Sequence, residues 1–501
     1  MPQNEKHLNL EYKIYRKRLT FRQIGVILVL GGVYMISYVK LKNFISFGDI
    51  CFDFRKTKSQ VKNFAAIYGE NGSGKTNFVT SIRFLIQSMT SFYSAQMLQI
   101  LQEKMDSGEI DKKVFQVIKD AGWDTPYQIQ DFTSVMRKCR TVGCEAPTEL
   151  EYGFRYNDHD GVYRIVFTDT VLEESLRFWT GKQTGMMYSV ALTDKNAIQC
   201  KLSPKAFQSA RLRQDIQADA ERFWGKHSIL GIIINQINRQ NEIYTKDNYS
   251  QYFIDVLDCF SRLNVLTKDQ LSAQLLISKY NNRILPNLDG GVIPQAALPL
   301  LQRSERVVNS ILTQTYAEIK EVKYHIEQDK GQLRYHLEIY KMIAGEVRKI
   351  DVDDESAGTI HILEILSPLM GALAGMTVFI DEADTGIHDI LFRNIIESIK
   401  DDIAGQLILT THNTTLLEKI DSQNAYIIYV DYEGNKEAVC IDEYDVQKTN
   451  NARSLYLKGV FGGIPVSEPF DDSSILSELQ QPAASASIWT AGEGGGKANG
   501  S

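Results

Sequence analysis

Between the apolar run FAAIY and the helix-patterned NFVTSIRFL lies Gly69-Glu70-Asn71-Gly72-Ser73-Gly74-Lys75-Thr76, a match to G-x-x-x-x-G-K-[ST]. This stretch restricts the fold more than any other, because such a loop joins the end of a buried strand to the first turn of a helix. Its glycines let backbone N–H groups curl around phosphates, and the helix N-terminus adds positive potential. Lys75 is placed to reach the terminal phosphate oxygens and Thr76 to present a hydroxyl to Mg²⁺. A glycine-rich turn with an exposed lysine is the plainer reading of the octapeptide. The strand before it and the helix after it argue against that reading.

Three further stretches carry chemistry. Thr377-Val378-Phe379-Ile380-Asp381-Glu382 is an apolar strand ending in two carboxylates. Asp381 is suited to the Mg²⁺ shell and Glu382 to polarising an attacking water. Alone, the pair is a strand meeting a solvated acidic turn; beside a phosphate loop it gains a use. QLILTTH, whose His412 lies thirty residues after Glu382, is another apolar strand with a polar exit. His412 there is either a satisfied structural residue or a contact to the γ-phosphate at the C-terminal edge of a parallel sheet. Glu355-Ser356-Ala357-Gly358-Thr359 precedes the helix-patterned TIHILEIL. Ser356 either caps that helix or, with the Gly358 backbone, binds a phosphate at its N-terminus; the motif by itself favours capping.

At 501 residues and 43% hydrophobic composition, the chain is long enough for two to four packed units. The 55 Lys+Arg against 62 Asp+Glu give a formal net charge of -7, so no basic field coats the molecule for nucleic acid, though a local groove stays open. Cysteines at 51, 139, 144, 200, 259 and 440 are too sparse for a disulfide framework and lack paired zinc spacing. Reduced thiols in a cytoplasmic protein are expected. The run IGVILVLGGVYMI (24–36) follows a basic stretch as a signal peptide does, but it is short for a membrane span and has no Ala-x-Ala exit. No membrane role is expected. A second reading starts translation at Met35, with Gly31-Gly32 encoded by a ribosome-binding sequence.

SYVKLKNFISFGDICFDF predicts a first strand and hairpin, and residues from about 86 to 144 are mainly helical in pattern. TELEYGFRY, GVYRIVF and VLEESLRFW predict antiparallel strands continuing that sheet, with NDHDG as a turn. Amphipathic helices dominate from about 204 to 319, interrupted around Gly290 and Pro294, without heptads for a coiled-coil rod. Strand patterns return in EVKYHIE, LRYHLEIY and GEVRKIDV. Alternating helix and strand from TIHILEIL to AYIIYV then imply a parallel α/β sheet. Beyond about Pro465 the chain is Ser/Ala/Gly-rich and expected to be disordered.

Taken in order, GENGSGKT, ESAGT, VFIDEADTGIHD and LTTH resemble the Walker A, signature, Walker B with D-loop, and switch-histidine series of ABC-class ATPases. SLYLKGVFGGIP and the SYVKLKNFISFGD opening are similar to bacterial AAA-domain ATPases of the OLD-like, abortive-infection (phage-defence) group. The resemblance spans Met35 to about Pro465. It implies an α/β P-loop NTPase of ABC-ATPase type: a mixed sheet, an antiparallel N-terminal β lobe and an inserted helical arm. The expected division is an extension over 1–34, a head N-lobe with Walker A over 35–200, a helical arm over 201–320, a head C-lobe over 321–465 and a tail over 466–501.

It further implies ATP and Mg²⁺ as cofactors and a head-to-tail homodimer. ATP on Gly69, Glu70, Asn71, Gly72, Ser73, Gly74, Lys75 and Thr76 of one copy would meet Ser356 and Gly358 of the other. Glu382 would be the general base, Thr76 and Asp381 the Mg²⁺ ligands, His412 the γ-phosphate sensor, and His388 a D-loop residue. Two departures stand out. ESAGT is a degenerate form of the transporter LSGGQ, and the glutamine that the family places between the first two motifs has no assigned counterpart; Gln87 is the nearest after the phosphate loop but is expected to lie still on that loop's helix. Larger members append a Toprim nuclease. The roughly ninety residues after His412 hold no Asp-x-Asp pair, while turn or strand-end roles are expected for Asp158/Asp160 and Asp351/Asp353. The expected function is thus an ATPase switch in anti-phage defence controlling a separate effector, a nuclease or toxin. The alternative is an SMC-like or DNA-repair ATPase that clamps DNA through arm lysines such as Lys201 and Lys205; the acidic net charge and lack of a rod weigh against it.

Overall fold

The computed structural model describes residues 34–108, 131–193, 195, 197–267, 272–274, 284–329, 331–444, 451–464 and 477. The expected helix content between 109 and 130, the extension before Tyr34 and almost all of the tail lie outside them. Met1–Gly463 is one compact unit and Ile464–Ser501 a second.

The chain enters through β1 (Tyr34–Phe44) and β2 (Phe47–Asp53), passes a small hairpin, β3 (Arg55–Thr57) and β4 (Gln60–Val61), and reaches β5 (Phe64–Gly69) and the helix α1 (Lys75–Asp106). After α2 (Phe132–Cys139) come β6 (Thr148–Tyr156), β7 (His159–Phe167), β8 (Val171–Trp179), β9 (Thr184–Leu192) and β10 (Ile198–Leu202). Helices α3 (Ala210–Phe223), α4 (Ile229–Arg239), α5 (Glu242–Asn248) and α6 (Gln251–Ser261) lead to β11 (Leu263–Leu266) and β12 (Ser272–Gln274). Then follow β13 (Gly290–Pro294), α7 (Leu298–Thr315), β14 (Ile319–Asp329), β15 (Gln332–Ile343) and β16 (Glu346–Asp351). The last stretch runs α8 (Ala357–Leu373), β17 (Thr377–Ile380), α9 (Asp389–Ile399), β18 (Gln406–Thr410), β19 (Ala425–Val430), β20 (Lys436–Cys440) and α10 (Ala452–Leu457).

These strands make two seven-stranded sheets. One is antiparallel, in the order β10-β9-β8-β7-β6-β1-β2; the other is mixed, in the order β12-β11-β17-β18-β5-β19-β20. In the mixed sheet β11, β17, β18, β5 and β19 run parallel, with antiparallel edges at β12 and β20. This is the α/β class with a mixed sheet and an antiparallel N-terminal lobe that the motifs imply. Every residue of β5, β17 and β18 is buried, as an unbroken apolar run in a central parallel strand requires. Buried polar side chains stitch the two sheets. The Gln406 amide donates to the Ile36 and Lys62 carbonyls and accepts the Ile36 N–H, each at 2.9 Å. Thr377 Oγ1 donates to the Tyr34 carbonyl at 2.8 Å.

Residues 201–320 are not wholly helical. β11 lies in the mixed sheet beside β17, and β13 joins β14, β15 and β16 in a separate four-stranded sheet. LNVL is a four-residue apolar run, too short for its periodicity to separate strand from helix. Tyr34, one residue inside the expected extension, begins β1 and is fully buried against Phe154 and Phe260. Among the described residues no helix is long and apolar enough to cross a membrane.

α4 packs against α1, the helix that carries the phosphate loop. Its N-terminus is tied to the antiparallel sheet by one buried carboxylate. Glu174 accepts from the Ile229 N–H at 2.6 Å, the Leu230 N–H at 3.1 Å, the Tyr163 and Tyr188 hydroxyls at 3.1 Å and Trp224 Nε1 at 3.3 Å. Burial pushes its carboxyl up to about 7, against the pull of those donors. The folded chain therefore binds more protons than the unfolded one between an ordinary glutamate's pKa and about 7. Stability from this group is fully present at low pH and lost as pH rises through that window, by on the order of 3 kcal/mol. Urea midpoints measured from pH 5 to 8 should show this fall in the wild type and a flatter profile in Glu174→Gln; parallel profiles would contradict it.

Candidate functional site

β5 ends at Gly69, and the loop Glu70–Gly74 turns the chain into α1. Gly74 is the position that tolerates no side chain. Its φ is 112°, and a Cβ there would lie 2.5 Å from a ring carbon of Phe47, which presses on the loop from the β1–β2 turn. The Lys75 ammonium donates to the carbonyls of Gly69 at 2.8 Å and Glu70 at 3.1 Å, and the Ser73 N–H reaches the Glu70 carbonyl at 3.2 Å. Burial holds Lys75 below its ordinary pKa, opposed by Glu382, Asp381 and Asp384. With Glu70, Lys75 thus interacts with four carboxylates around the strand ends. Ser73 Oγ is buried with no hydrogen-bond partner.

The carboxylate pair is arranged by one hydroxyl. Thr410 Oγ1, at the end of β18, donates to Asp381 Oδ1 at 2.6 Å and accepts the Glu382 N–H at 2.8 Å. The parallel register of β17 with β18 brings these positions together, and the Asp381 N–H is pinned to the Leu266 carbonyl of β11 at 2.8 Å. Glu382 takes a left-handed backbone, φ 46°, uncommon for a non-glycine residue and a recurrent mark of functional turns. Its carboxylate accepts from Thr385 Oγ1 at 3.4 Å. Burial raises the Asp381 carboxyl above the usual range, against the hydrogen bond from Thr410 and the nearby Thr76 hydroxyl.

Asp381 Oδ2 is buried and has no hydrogen-bond partner. A buried carboxylate oxygen of this kind, beside the Thr76 hydroxyl, is a hard oxygen donor set with capacity left for a small divalent cation. No group of three or more His, Cys, Asp or Glu side chains is placed to hold a metal among the described residues.

The structure brings Gly69–Thr76, Asp381 and Glu382 to one end of the mixed sheet. His412 follows β18 on the same end; its N–H lies 3.3 Å from both carboxylate oxygens of Asp384, and the residue is exposed. Ser356 caps α8: its Oγ accepts the Thr359 N–H at 3.2 Å and lies 2.9 Å from Thr359 Oγ1. Gly358 packs on the turn after β17, where a Cβ would sit 2.4 Å from the Gly386 carbonyl oxygen. Ser356 thus bonds within the first turn of its own helix, and Gly358 packs against Gly386. Glu355, just before them, is bound to Lys341 at 2.7 Å with its side chain 1% exposed. His388 caps α9, its Nδ1 accepting the Ile390 N–H. Gln87 lies on α1, buried. Asp160 pairs with Arg155 at 2.8 Å, and Asp351 holds His336 at 2.7 Å and caps the turn after β16, so one carboxylate of each Asp-x-Asp pair makes a structural contact.

Sequence reasoning missed Thr410, whose role appears only through strand register, and Lys436, whose ammonium donates to the Gly72 carbonyl at 2.8 Å. The doubled threonine of QLILTTH was the available signal for the first; a lysine in a hairpin strand gives none for the second.

Residues 202–418 match the family model described as "AAA domain, putative AbiEii toxin, Type IV TA system", and residues 38–132 match a model described as "AAA domain". No curated protein matches the chain. Similar solved structures include an SMC head bound to the C-terminal winged-helix domain of ScpA, at 13% identity over 81% of this chain and 97% of that one, with a TM-score of 0.42. Others are the SMC head domain from Thermotoga maritima, at 14% over 81% and 98% with a TM-score of 0.33, and the recombination mediator RecF with ATP, at 10% over 82% and 100% with a TM-score of 0.34. At such scores the assignment rests on the chain's own sheet, loop and family matches. With a phosphate loop between β5 and α1 and a paired-carboxylate strand near it in the mixed sheet, the chain is similar to AAA domains over residues 38–132 and 202–418.

Proposed function

We propose that this chain is a Mg²⁺-dependent ATPase that works as a dimeric cytoplasmic switch, with its nucleotide state read by a separate effector protein, a nuclease or toxin, in anti-phage defence. The observation that carries the ATPase reading is the Thr410 hydroxyl joining Asp381 to Glu382 at the foot of the phosphate loop. Loop amides and Lys75 bind the triphosphate, as charge-assisted donors at a helix N-terminus do. Thr76 and Asp381 would hold Mg²⁺, which would supply charge neutralisation for the triphosphate. Glu382, fixed by Thr410 at its amide, takes the proton of the attacking water. His412 lies at the γ-phosphate end.

Ser356 and Gly358 of a second copy complete the site, head to tail, at the N-terminus of α8. The support for this is the order of the four motifs along the chain together with the place of Ser356 and Gly358 at the N-terminus of a long helix, where backbone N–H groups favour an anion. ATP that binds the closed pair better than the open monomer shifts the population toward closure, and hydrolysis releases it. The defence role draws on the toxin system named in the description of the family model matched by residues 202–418. Purified full-length chain should release phosphate from ATP with Mg²⁺ present and fall to background with excess EDTA, recovering when Mg²⁺ is restored. Phosphate release indifferent to EDTA, or none in Mg²⁺ without ATP binding, contradicts the ATPase reading.

A further inference from the structure

A phosphate-binding loop has to keep its carbonyl oxygens turned away from the anion, because each one facing inward repels it. Here the carbonyls of Gly69 and Glu70 are held by Lys75, the loop's own lysine. The Gly72 carbonyl is held from outside, by Lys436 of β20, 364 residues away in sequence, at 2.8 Å. The same ammonium donates to Ser46 Oγ at 2.7 Å and lies 5.7 Å from the centroid of the Phe47 ring. Ser46 Oγ also accepts from Asn77 Nδ2 at 2.7 Å, so the β1–β2 turn, the loop and the first turn of α1 meet at this lysine. β20 is fixed in turn: it pairs with β19, whose Ile428 lies opposite Gly69 in the parallel register of β5. In a trans peptide the C=O of Gly72 and the N–H of Ser73 point opposite ways. Holding the one outward directs the other into the loop, where it spans to the Glu70 carbonyl. Lys75 must leave its carbonyls to reach a triphosphate; Lys436 need not.

We propose that Lys436 is a positioning residue for the nucleotide loop: it holds the Gly72 carbonyl outward and so sets affinity for the phosphates of ATP and ADP alike, without touching the reacting atoms. This rests on the nucleotide reading above. The test is titration of the full chain with fluorescent mant-ATP and mant-ADP, together with steady-state turnover, for wild type, Lys436→Met and Lys436→Arg. Loss of one charge-assisted bond predicts about tenfold weaker binding of both nucleotides in Lys436→Met, a matching rise in KM, and kcat at saturating ATP within about twofold of wild type. Lys436→Arg, which keeps charge and donors, should stay within about threefold of wild type. Wild-type affinity in Lys436→Met overturns the proposal, as does an equal loss in both variants accompanied by a lower Tm. Wild type that binds neither nucleotide overturns the ATPase reading and this one with it, whereas wild type that binds while Lys436→Met binds equally well overturns this one alone.

Discussion

Glu382→Gln will bind ATP about as well as the wild type and turn it over at least a hundredfold more slowly. Glutamine keeps the volume of the side chain and can still accept from Thr385 Oγ1, and the backbone that places it is fixed by Thr410 through the 2.8 Å bond to the Glu382 N–H. What the amide cannot do is accept a proton from water. General-base catalysis contributes about 10²–10⁴ in rate, and a loss of 10² to 10³ corresponds to roughly 3–4 kcal/mol of barrier. The substitution also removes a negative charge that repels the triphosphate, so ATP affinity should hold or rise. The ATP-bound pair then accumulates because closure is no longer relieved by hydrolysis. Sedimentation velocity should show Glu382→Gln shifting from monomer to dimer on addition of Mg²⁺-ATP. Identical sedimentation with and without ATP counts against the switch, and near-normal turnover removes Glu382 from the base's role.

What was legible in the sequence is what is local in the chain. The phosphate loop is contiguous, so its strand, glycines and helix could be read together, and the structure places them as β5, the 70–74 loop and α1. The carboxylate strand and QLILTTH were equally plain, being apolar runs with polar ends that only a buried parallel sheet accommodates. The hairpin after Asn43 and the strands β6 to β8 followed from alternation, which β1–β6 pairing realises as one sheet. Illegible were the relations set by register or by distant segments. Thr410 is one threonine among many until β17 lies beside β18. Lys436 looks like any solvated hairpin lysine until Gly72 arrives from the other end of the chain. β11 was too short for its apolar residues to declare a strand, and its place beside β17 depends on the Arg262 and Leu266 carbonyls that receive the Thr377 and Asp381 amides. Ser356 shows the opposite case: the sequence offered capping and phosphate binding together, and one serine at a helix N-terminus is compatible with both.

That double use of Ser356 makes possible a sharp test of a site shared between two copies. Aspartate is as good an N-cap as serine, so Ser356→Asp leaves α8 capped. Facing a phosphate across an interface, the same carboxylate repels it. Lys75→Ala removes the loop's ammonium and with it nucleotide binding in its own copy. Each variant alone should be inactive, since in either homodimer both sites lack a part. A hybrid pair holds one ruined site, with both defects, and one whole site, with Lys75 from one copy and Ser356 from the other. The measurement is phosphate release by a one-to-one mixture of the two variants, with hybrid formation verified by tags of different size. The shared-site account predicts recovery to about a quarter of wild-type activity under random pairing. Verified hybrids that release no more phosphate than either variant alone contradict it.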